Sequence, residues 1–306
     1  MFKGCGTALV TPFRKDLSLD EEAFRRLVQR QIDGGIDFLV PCGTTGESPT
    51  LSRQEHLRVI QITVEVARAA ESAGGRKTPV MGGAGGYNTA EVIELARELQ
   101  HLGVDGILSV TPYYNKVTQE GLYQHYKAIA DAVPVPIIVY NVPGRTGVNV
   151  ETATLKRIAG IPNVVGVKEA SGNISQMAAV CRNLPDGFAV LSGDDAITIP
   201  LISLGGCGLI SVASNQIPAE MTKLTNLAMQ GDFAGARALQ REWLPLMEIN
   251  FCESNPIPVK WAMAQMGLLE PVYRLPMVPP QAASQTRIET VLKQAGLLKP
   301  ALANAH

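Results

Sequence analysis

Eight short apolar segments recur along this chain at intervals of about 20 to 40 residues, separated by amphipathic stretches. The segments are rich in Val, Ile and Leu and do not alternate with polar residues, which is typical of strands buried on both faces of a parallel sheet. They lie at residues 7–10, 38–41, 79–83, 106–110, 136–140, 164–168, 188–192 and 208–212. Eight strands alternating with helices over about 230 residues predict a (β/α)8 (TIM) barrel rather than a doubly wound sheet.

The stretches between these segments carry recognisable helix boundaries. Three of them have the residues of a helix start, the second as a capping box: Ser18-Leu19-Asp20-Glu21, Ser52-Arg53-Gln54-Glu55 and Asn88-Thr89-Ala90-Glu91. Glycine ends four helix patterns: Gly34-Gly35, Gly74-Gly75, Gly103 and Gly205-Gly206. The run Gly82-Gly83-Ala84-Gly85-Gly86 does not fit the dinucleotide-binding pattern G-x-G-x-x-G, and we interpret it as a tight turn.

The strand pattern stops after about residue 231, and helix patterns follow at 232–250, 256–267 and 280–296. A proline-rich joint at 276–280 precedes the last of them. We therefore predict two domains, a catalytic barrel of residues 1–231 and a helical appendage of residues 232–306, with fraying of the last few residues.

The amino-acid composition indicates which classes of partner and which cellular compartment to expect. The formal net charge is −1 and no block rich in Lys or Arg occurs, which argues against nucleic acid or an anionic membrane surface as a partner. The chain shows neither the apolar region of a signal peptide nor a run of about 18 apolar residues that could span a membrane. Its five cysteines lack C-x-x-C spacing, which favours reduced thiols in the cytoplasm over disulfides, a zinc site or a catalytic cysteine.

Residues with reactive side chains cluster where the predicted strands end, and these ends form the active site in (β/α)8 barrels. Lys168 ends the buried run Val164-Val165-Gly166-Val167, where an amine can lose hydration and act as a nucleophile. Most lysines at the end of a strand are simply solvated, so Lys168 alone does not indicate a nucleophile. The other strand ends carry Gly43-Thr44-Thr45-Gly46-Glu47-Ser48, Thr111-Pro112-Tyr113-Tyr114-Asn115, Tyr140-Asn141-Val142-Pro143-Gly144-Arg145-Thr146-Gly147, Gly193-Asp194-Asp195 and Ile210-Ser211.

Each of these segments has a structural alternative. Residues 43–48 form either an ordinary turn or a nest of N–H and hydroxyl groups for a carboxylate, and the tyrosines either pack or transfer protons. Arg145 is either a surface charge or a carboxylate clamp. Asp194 and Asp195 have no histidine at a matching position for a metal site. The four histidines fall on helix patterns or the tail, where we expect caps or solvated side chains: His56, His101, His125 and His306.

Taken together, a lysine, a tyrosine hydroxyl, an anion nest and an arginine suggest Schiff-base chemistry on a 2-oxo acid. The lysine forms the imine, the nest holds the carboxylate, and the tyrosine moves the proton that converts imine to enamine. We expect no cofactor, because the protonated imine is itself the electron sink.

Four segments, at residues 43–48, 140–147, 166–172 and 191–195, closely resemble the dihydrodipicolinate synthase family of the pyruvate-dependent class I aldolase/lyase superfamily. The resemblance covers nearly the whole chain, including Asn255-Pro256-Ile257-Pro258-Val259-Lys260. The segment at 140–147 is the more specific one, because sister lyases that act on sugar acids usually lack the arginine found here at Arg145.

The resemblance implies a reaction and its catalytic residues. Lys168 would form the imine with pyruvate, and the enamine would attack L-aspartate 4-semialdehyde on the way to 4-hydroxy-tetrahydrodipicolinate, the first committed step of diaminopimelate and lysine biosynthesis. Tyr140, Thr44 and Tyr114 would relay protons, with Tyr114 reaching into the site of a neighbouring subunit. The family is commonly a homotetramer built as a dimer of tight dimers.

The resemblance also assigns binding roles. Thr45 would bind the pyruvate carboxylate, and Arg145 would hold the carboxylate of the semialdehyde. Gly193 and the backbone of Ile210 would line the pyruvate pocket. Two other functions stay open: a pyruvate-dependent lyase for N-acetylneuraminate or 2-keto-3-deoxy sugar acids, and a non-catalytic protein that binds a 2-oxo acid.

Some members of the family are inhibited by lysine at the dimer interface. The positions that match that site here are Ser48, Pro49, Arg53, His56, Tyr87, Glu91 and Tyr113. Tyr87 replaces the asparagine of sensitive enzymes, and Arg53 replaces a histidine. Because an added positive charge beside a cationic ligand is unfavourable, we predict weak or absent feedback inhibition.

Overall fold

Eight parallel strands form the centre of the protein in the computed structural model, which describes residues 2–298. The strands are β1 (Gly4–Ala8), β2 (Phe38–Val40), β3 (Met81–Gly83), β4 (Gly106–Val110), β5 (Ile137–Asn141), β6 (Val164–Glu169), β7 (Ala189–Ser192) and β8 (Gly208–Ser211). Their hydrogen-bonded order is β2-β1-β8-β7-β6-β5-β4-β3, and a bridge between Leu39 and Val80 joins the two remaining edges. The predicted (β/α)8 barrel with a C-terminal helical region is confirmed.

Helices connect and surround the strands. They are α1 (Glu21–Asp33), α2 (Arg53–Ser72), α3 (Thr89–His101), α4 (Gln119–Ala132), α5 (Pro143–Thr146), α6 (Thr152–Ile158), α7 (Ile174–Asn183), α8 (Thr198–Ser203), α9 (Pro218–Met229), α10 (Phe233–Ile249), α11 (Ile257–Gln265) and α12 (Ala282–Gln294). The capping box at Ser52 is present, since Ser52 and Glu55 each accept the other's backbone N–H. None of the described helices combines the length and apolar character that crossing a membrane requires.

Strand β5 illustrates why the strand sequences are apolar without alternation. Ile137 and Val139 belong to the core between the barrel and its helices, whereas Ile138 and Tyr140 belong to the cluster inside the barrel. Both faces of the strand are therefore buried, and both select apolar side chains. Tyr140 stands near the carboxyl end of β5, where the barrel interior meets the catalytic face.

The prediction of a tight turn at residues 82–86 is wrong. Gly82 and Gly83 belong to β3, and the Gly83 N–H donates to the Pro41 carbonyl as part of the sheet. A Cβ on Gly83 would lie 2.0 Å from the carbonyl oxygen of Cys42, and one on Gly82 would lie 2.4 Å from the Leu99 side chain. These glycines allow close packing inside the barrel wall rather than a change of chain direction.

Strand β1 starts earlier than predicted, also because of glycines. Gly4 and Gly6 obscured the strand pattern, yet both lie in β1. A Cβ on Gly6 would lie 2.1 Å from the ring of Phe38, and one on Gly4 would meet the Asp37 carboxylate at the same distance. The absence of side chains in this strand makes room for the neighbouring residues of β2 and the turn before it.

The C-terminal helices correspond to the three predicted ones, and α11 lies against the carboxyl ends of the barrel strands. Val259 and Met263 of α11 pack with Val10, which follows β1, and with Val212, which follows β8. This packing brings the start of α11 to the face of the barrel where the active site is expected. The domain division at residue 231 stays a prediction, and the predicted fraying tail at 299–306 lies outside the described residues.

Two of the predicted surface histidines are buried, so that prediction is wrong for them. His56 donates from Nε2 to the Gly83 carbonyl at 2.9 Å, and His125 Nδ1 lies 2.9 Å from the Thr89 hydroxyl. Burial lowers the pKa of both imidazoles, that of His125 to about 4. His56 therefore faces strand β3 from α2, whereas His125 faces the first residue of α3 from α4. His101 is exposed as expected, and His306 lies outside the described residues.

Candidate active site

Lys168 and Tyr140 meet at the carboxyl ends of two neighbouring strands. They are register partners in the β5–β6 ladder, and the Lys168 Nζ lies 4.3 Å from the centroid of the Tyr140 ring. Only 5% of Lys168 is exposed. Within residues 2–298 no carboxylate is close enough to form an ion pair with the Lys168 amine. The nearby group with negative potential is the face of the Tyr140 ring. The amine is thus buried without a carboxylate partner among the described residues.

Gly193 and Ile210 complete the surroundings of the lysine. A Cβ on Gly193 would lie 3.1 Å from the Lys168 Cε and 2.5 Å from the Ala170 Cβ, so glycine leaves space beside the amine. Ile210 of β8 is fully buried in the barrel interior, in the same cluster as Tyr140. Gly193 therefore lies beside Lys168 and Ile210 lies in the barrel interior, and their roles in the pyruvate pocket stay predictions.

A buried polar network, missed by the sequence analysis, supports the ends of β5 and β6. The Asn141 Nδ2 donates to Glu169 at 3.1 Å and to Asn149 at 3.0 Å, and the Asn141 Oδ1 accepts from the Val150 N–H. The other Glu169 oxygen accepts the Ser171 N–H at 2.8 Å. Asn141 directly follows Tyr140 and Glu169 directly follows Lys168, so these bonds fix the backbone that carries both side chains.

A cavity of about 300 Å³ opens at this end of the barrel. Its walls include the predicted catalytic and binding residues Thr44, Tyr140 and Arg145. Thr45 is 2% exposed and sits beside the cavity, within residues 43–48, which we call the 43–48 loop. Thr44, Tyr140 and Arg145 therefore share one space large enough for small-molecule substrates. Lys168 is not among the residues that line it and adjoins it through the Tyr140 ring.

Asn255, which precedes α11, touches two predicted carboxylate-binding residues. Its side-chain Nδ2 donates to the Thr45 Oγ1 at 3.0 Å, and its backbone carbonyl accepts from the Arg145 Nη2 at 3.1 Å. Asn255 is not among the predicted site residues. Its only signal was its place in a segment shared with the related family.

A fully buried ion pair links α11 to the 43–48 loop. The Lys260 Nζ lies 2.5 Å from the Glu47 Oε1, and neither side chain is exposed. The second carboxylate oxygen of Glu47 has no hydrogen-bond partner among the described residues. Burial raises the pKa of Glu47 and lowers the pKa of Lys260, and in each case their mutual attraction opposes the shift. This pair was not predicted from the sequence.

Tyr114 does not join the site of its own chain. It adopts a left-handed backbone conformation with φ of 71°, and 89% of the residue is exposed. Its neighbour Tyr113 lines the cavity and packs edge to face against Tyr87, with ring centroids 5.3 Å apart. The two consecutive tyrosines therefore face different surroundings.

The positions matched to a lysine site divide into two groups. Ser48, Pro49, His56 and Tyr113 line the same cavity, with Tyr87 packed against Tyr113. Arg53 instead pairs with Glu98 at 2.6 Å, and Glu91 accepts from Asn88 at the start of α3. The guanidinium that was expected to repel a cationic ligand therefore has a carboxylate partner.

The two aspartates after β7 have structural partners. Asp195 is buried and accepts hydrogen bonds from the Ser211 hydroxyl and from the backbone of Val212 and Ala213, while Asp194 accepts from the Ala196 N–H. Asp195 thereby holds the chain that follows β8. In the part of the chain that the structure describes, no group of three or more His, Cys, Asp or Glu residues could hold a metal ion.

Comparisons with known proteins agree with this geometry. The family model for the dihydrodipicolinate synthetase family matches residues 1–295. A 4-hydroxy-tetrahydrodipicolinate synthase from Koribacter versatilis (strain Ellin345) is 54% identical over 300 residues, which is 98% of each chain. The crystal structure of dihydrodipicolinate synthase from Aquifex aeolicus has a TM-score of 0.93 at 40% identity, covering 98% of this chain and 100% of that one.

A second solved structure is similar to the same extent. The chloride-inhibited dihydrodipicolinate synthase from Acinetobacter baumannii, complexed with pyruvate, is 44% identical with a TM-score of 0.93 and covers 97% of this chain and 100% of that one. Matches of this length include both the barrel and the helical region that contacts the site. The chain therefore belongs to the dihydrodipicolinate synthetase family.

Proposed function

We propose that this chain condenses pyruvate with L-aspartate 4-semialdehyde to form 4-hydroxy-tetrahydrodipicolinate, the first committed step of diaminopimelate and lysine biosynthesis. The observation that carries the proposal is the buried, unpaired Lys168 amine above the Tyr140 ring, beside a cavity that Thr44 and Arg145 line. The Koribacter versatilis relative with that activity in its name matches almost the full chain, and the Acinetobacter baumannii relative binds pyruvate.

The first half of the reaction forms the covalent intermediate. The neutral Lys168 amine attacks the ketone carbon of pyruvate, and loss of water from the adduct gives a protonated imine. Thr45 hydrogen-bonds the carboxylate while Tyr140 and Thr44 carry protons to and from the reacting oxygen and nitrogen. Removal of a proton from the methyl group then converts the imine to the nucleophilic enamine, with the lysine nitrogen accepting the electron pair.

The second half of the reaction joins the two substrates. The enamine carbon attacks the aldehyde of the semialdehyde, whose carboxylate is held by Arg145. The amino group of that substrate then attacks the imine carbon and closes the ring, which releases the Lys168 amine for another cycle. The covalent imine makes a separate cofactor unnecessary in this scheme.

A neighbouring subunit supplies the remaining part of the proton relay in this proposal. Tyr114 is exposed on its own chain, and a second copy packed on this surface would receive its hydroxyl. For the assembly we propose the one that is common in the family, a homotetramer made of two tight dimers. The five free thiols are consistent with a cytoplasmic location.

Arg145 favours the synthase over a lyase for sugar acids. Its guanidinium lines the cavity and uses one N–H to bond the Asn255 carbonyl, which leaves further donors for a substrate carboxylate. A polyol substrate presents no carboxylate at that point. The test is a coupled assay in which pyruvate and L-aspartate 4-semialdehyde turn over and the next reductase oxidises its nicotinamide cofactor. Turnover of a sugar acid instead, by folded protein, would replace the proposal.

Arg145→Ala should separate the two substrates. We expect a loss of roughly 10- to 100-fold in kcat/KM for the semialdehyde, because a charge-assisted hydrogen bond to its carboxylate disappears. Trapping of the pyruvate imine by borohydride should stay unchanged. Arg157→Ala is the matched control, because Arg157 pairs with Glu120 and Tyr123 away from the cavity. Unaltered semialdehyde kinetics in Arg145→Ala would remove that residue from the binding site.

Feedback inhibition by lysine should be weak. Arg53 adds a cation near the matched positions and Tyr87 replaces a smaller residue, although the pairing of Arg53 with Glu98 reduces the repulsion. Titration of the coupled assay with lysine checks this expectation, and Arg53→His should increase sensitivity if the charge is responsible. Strong inhibition of the unmodified protein at submillimolar lysine would contradict the prediction.

A further inference from the structure

We infer that Asn255 is a positioning residue for pyruvate, which acts by directing the hydroxyl hydrogen of Thr45 toward the substrate carboxylate. The inference rests on the proposed function, because it concerns the site in which Thr45 binds the carboxylate. Neither the family resemblance nor the barrel architecture assigns a role to the Asn255 side chain.

The direction of one hydrogen bond carries the inference. The Asn255 Nδ2 donates to the Thr45 Oγ1 at 3.0 Å, and both side chains are almost completely buried. A threonine hydroxyl has one hydrogen to donate and two lone pairs to accept with. Because the amide nitrogen occupies a lone pair, the hydroxyl hydrogen points away from that nitrogen, and the Asn255 Oδ1 has no partner among the described residues. Among residues 2–298, no acceptor receives that hydrogen, so it is available to an anion in the adjacent cavity.

Four other buried threonines donate to acceptors within the chain: Thr7 to Gln31, Thr11 to the Gly46 carbonyl, Thr63 to the Val59 carbonyl and Thr225 to the Met221 carbonyl. The buried Thr111 hydroxyl, by contrast, has no partner among the described residues. Thr45 accepts a hydrogen bond and donates none. A buried donor without a partner destabilises the empty site, and a bound carboxylate would remove that cost.

The backbone around Asn255 is held at several points. Its carbonyl accepts from Arg145, and the ion pair between Lys260 and Glu47 joins α11 to the 43–48 loop two residues beyond Thr45. The amide therefore approaches Thr45 from a fixed direction. Through these contacts Asn255 also connects the predicted binding residue for the pyruvate carboxylate with the one for the semialdehyde.

The identity of the side chain matters because an amide donates without carrying charge. An aspartate at this position would be an acceptor only, so the Thr45 hydroxyl would turn toward it and away from the substrate. Its negative charge would also repel the pyruvate carboxylate. The expected order of pyruvate affinity is therefore wild type, then Asn255→Ala, then Asn255→Asp.

Borohydride trapping at increasing pyruvate concentration measures this order. Asn255→Ala should raise the pyruvate concentration for half-maximal trapping roughly five- to tenfold, and Asn255→Asp should raise it further. In the coupled assay the pyruvate KM should rise by a similar factor, with a smaller change in kcat. Asn250→Ala is the matched control: Asn250 is equally buried and donates to Gln216 at 2.7 Å, away from the cavity, so its pyruvate response should equal that of the wild type.

A double-mutant cycle with Thr45→Val separates positioning from general structural damage. If Asn255 acts through the Thr45 hydroxyl, Asn255→Ala should change trapping by less than about twofold in the Thr45→Val background. Thermal melts establish that each variant is folded. An equal loss in both backgrounds, or an Asn255→Asp variant that binds pyruvate as well as the wild type, would overturn the inference. Failure of the wild type itself to trap pyruvate would instead overturn the proposed function, and the inference with it.

Discussion

The Lys168→Ala variant should lose covalent trapping of pyruvate completely and lose turnover by about a thousandfold or more. Lys168 is one of two buried lysines in the described residues, and the other, Lys260, is held against Glu47 in an ion pair. The Lys260 Nζ donates to the Glu47 carboxylate and lies over the Phe13 ring, so this amine is already enclosed by other side chains. No second nucleophile therefore stands ready to replace Lys168.

Mass spectrometry of the trapped wild-type protein provides the measurement. The reduced pyruvate adduct should map to the peptide that contains Lys168. Lys168→Arg is the matched control for charge, since it keeps a cation above the Tyr140 ring but cannot form the imine. A folded Lys168→Ala protein that still traps pyruvate, with the adduct on Lys260, would show that the nucleophile was assigned incorrectly.

The barrel could be predicted from sequence because burial on both faces leaves a direct trace in each strand. In β5 the outward Ile137 and Val139 and the inward Ile138 are all apolar, so the run is continuous and short. Glycines interrupt this apolar pattern in β1, so the start of that strand at Gly4 was not predicted. There, packing against the side chain of Asp37 requires the absence of a Cβ, and a tertiary contact of this kind has no local signature.

The core of the site was predictable for a related reason. Parallel strands in a barrel end on the same face, so Lys168 and Tyr140 had to be close once their strands were recognised. The structure also brings Thr44 and Arg145 to the same cavity. Tyr114 does not reach it, and what a second chain does there cannot be derived from the periodicity of one sequence.

The supports of the site could not be predicted in this way. The bond from Asn255 to Thr45 spans 210 residues of sequence, and the pair of Lys260 with Glu47 spans 213. Lys260 lies in an apolar helix, where a lysine alone indicates neither its partner nor its direction. The burial of His56 was not predicted because a single histidine does not reveal which face of α2 is buried.

Lys260→Met should lower the free energy of unfolding by about 3–5 kcal/mol, the second large effect we expect. The substitution leaves the Glu47 carboxylate buried without its counter-ion, and one oxygen of that carboxylate already lacks a partner. Urea denaturation of the purified variant measures the loss. Lys127→Met is the matched control, because Lys127 pairs with Asp131 on the surface of α4, where an ion pair contributes less than about 1 kcal/mol.

The double variant Glu47→Met/Lys260→Met should recover most of that stability. Burial disfavours the charged form of both groups, as the raised pKa of Glu47 and the lowered pKa of Lys260 indicate, so removing both charges removes both desolvation penalties. Pyruvate trapping by the double variant should nevertheless weaken, because the ion pair fixes the loop that carries Thr44 and Thr45. If the single and double variants were equally unstable, the effect would come from lost packing and not from an uncompensated charge.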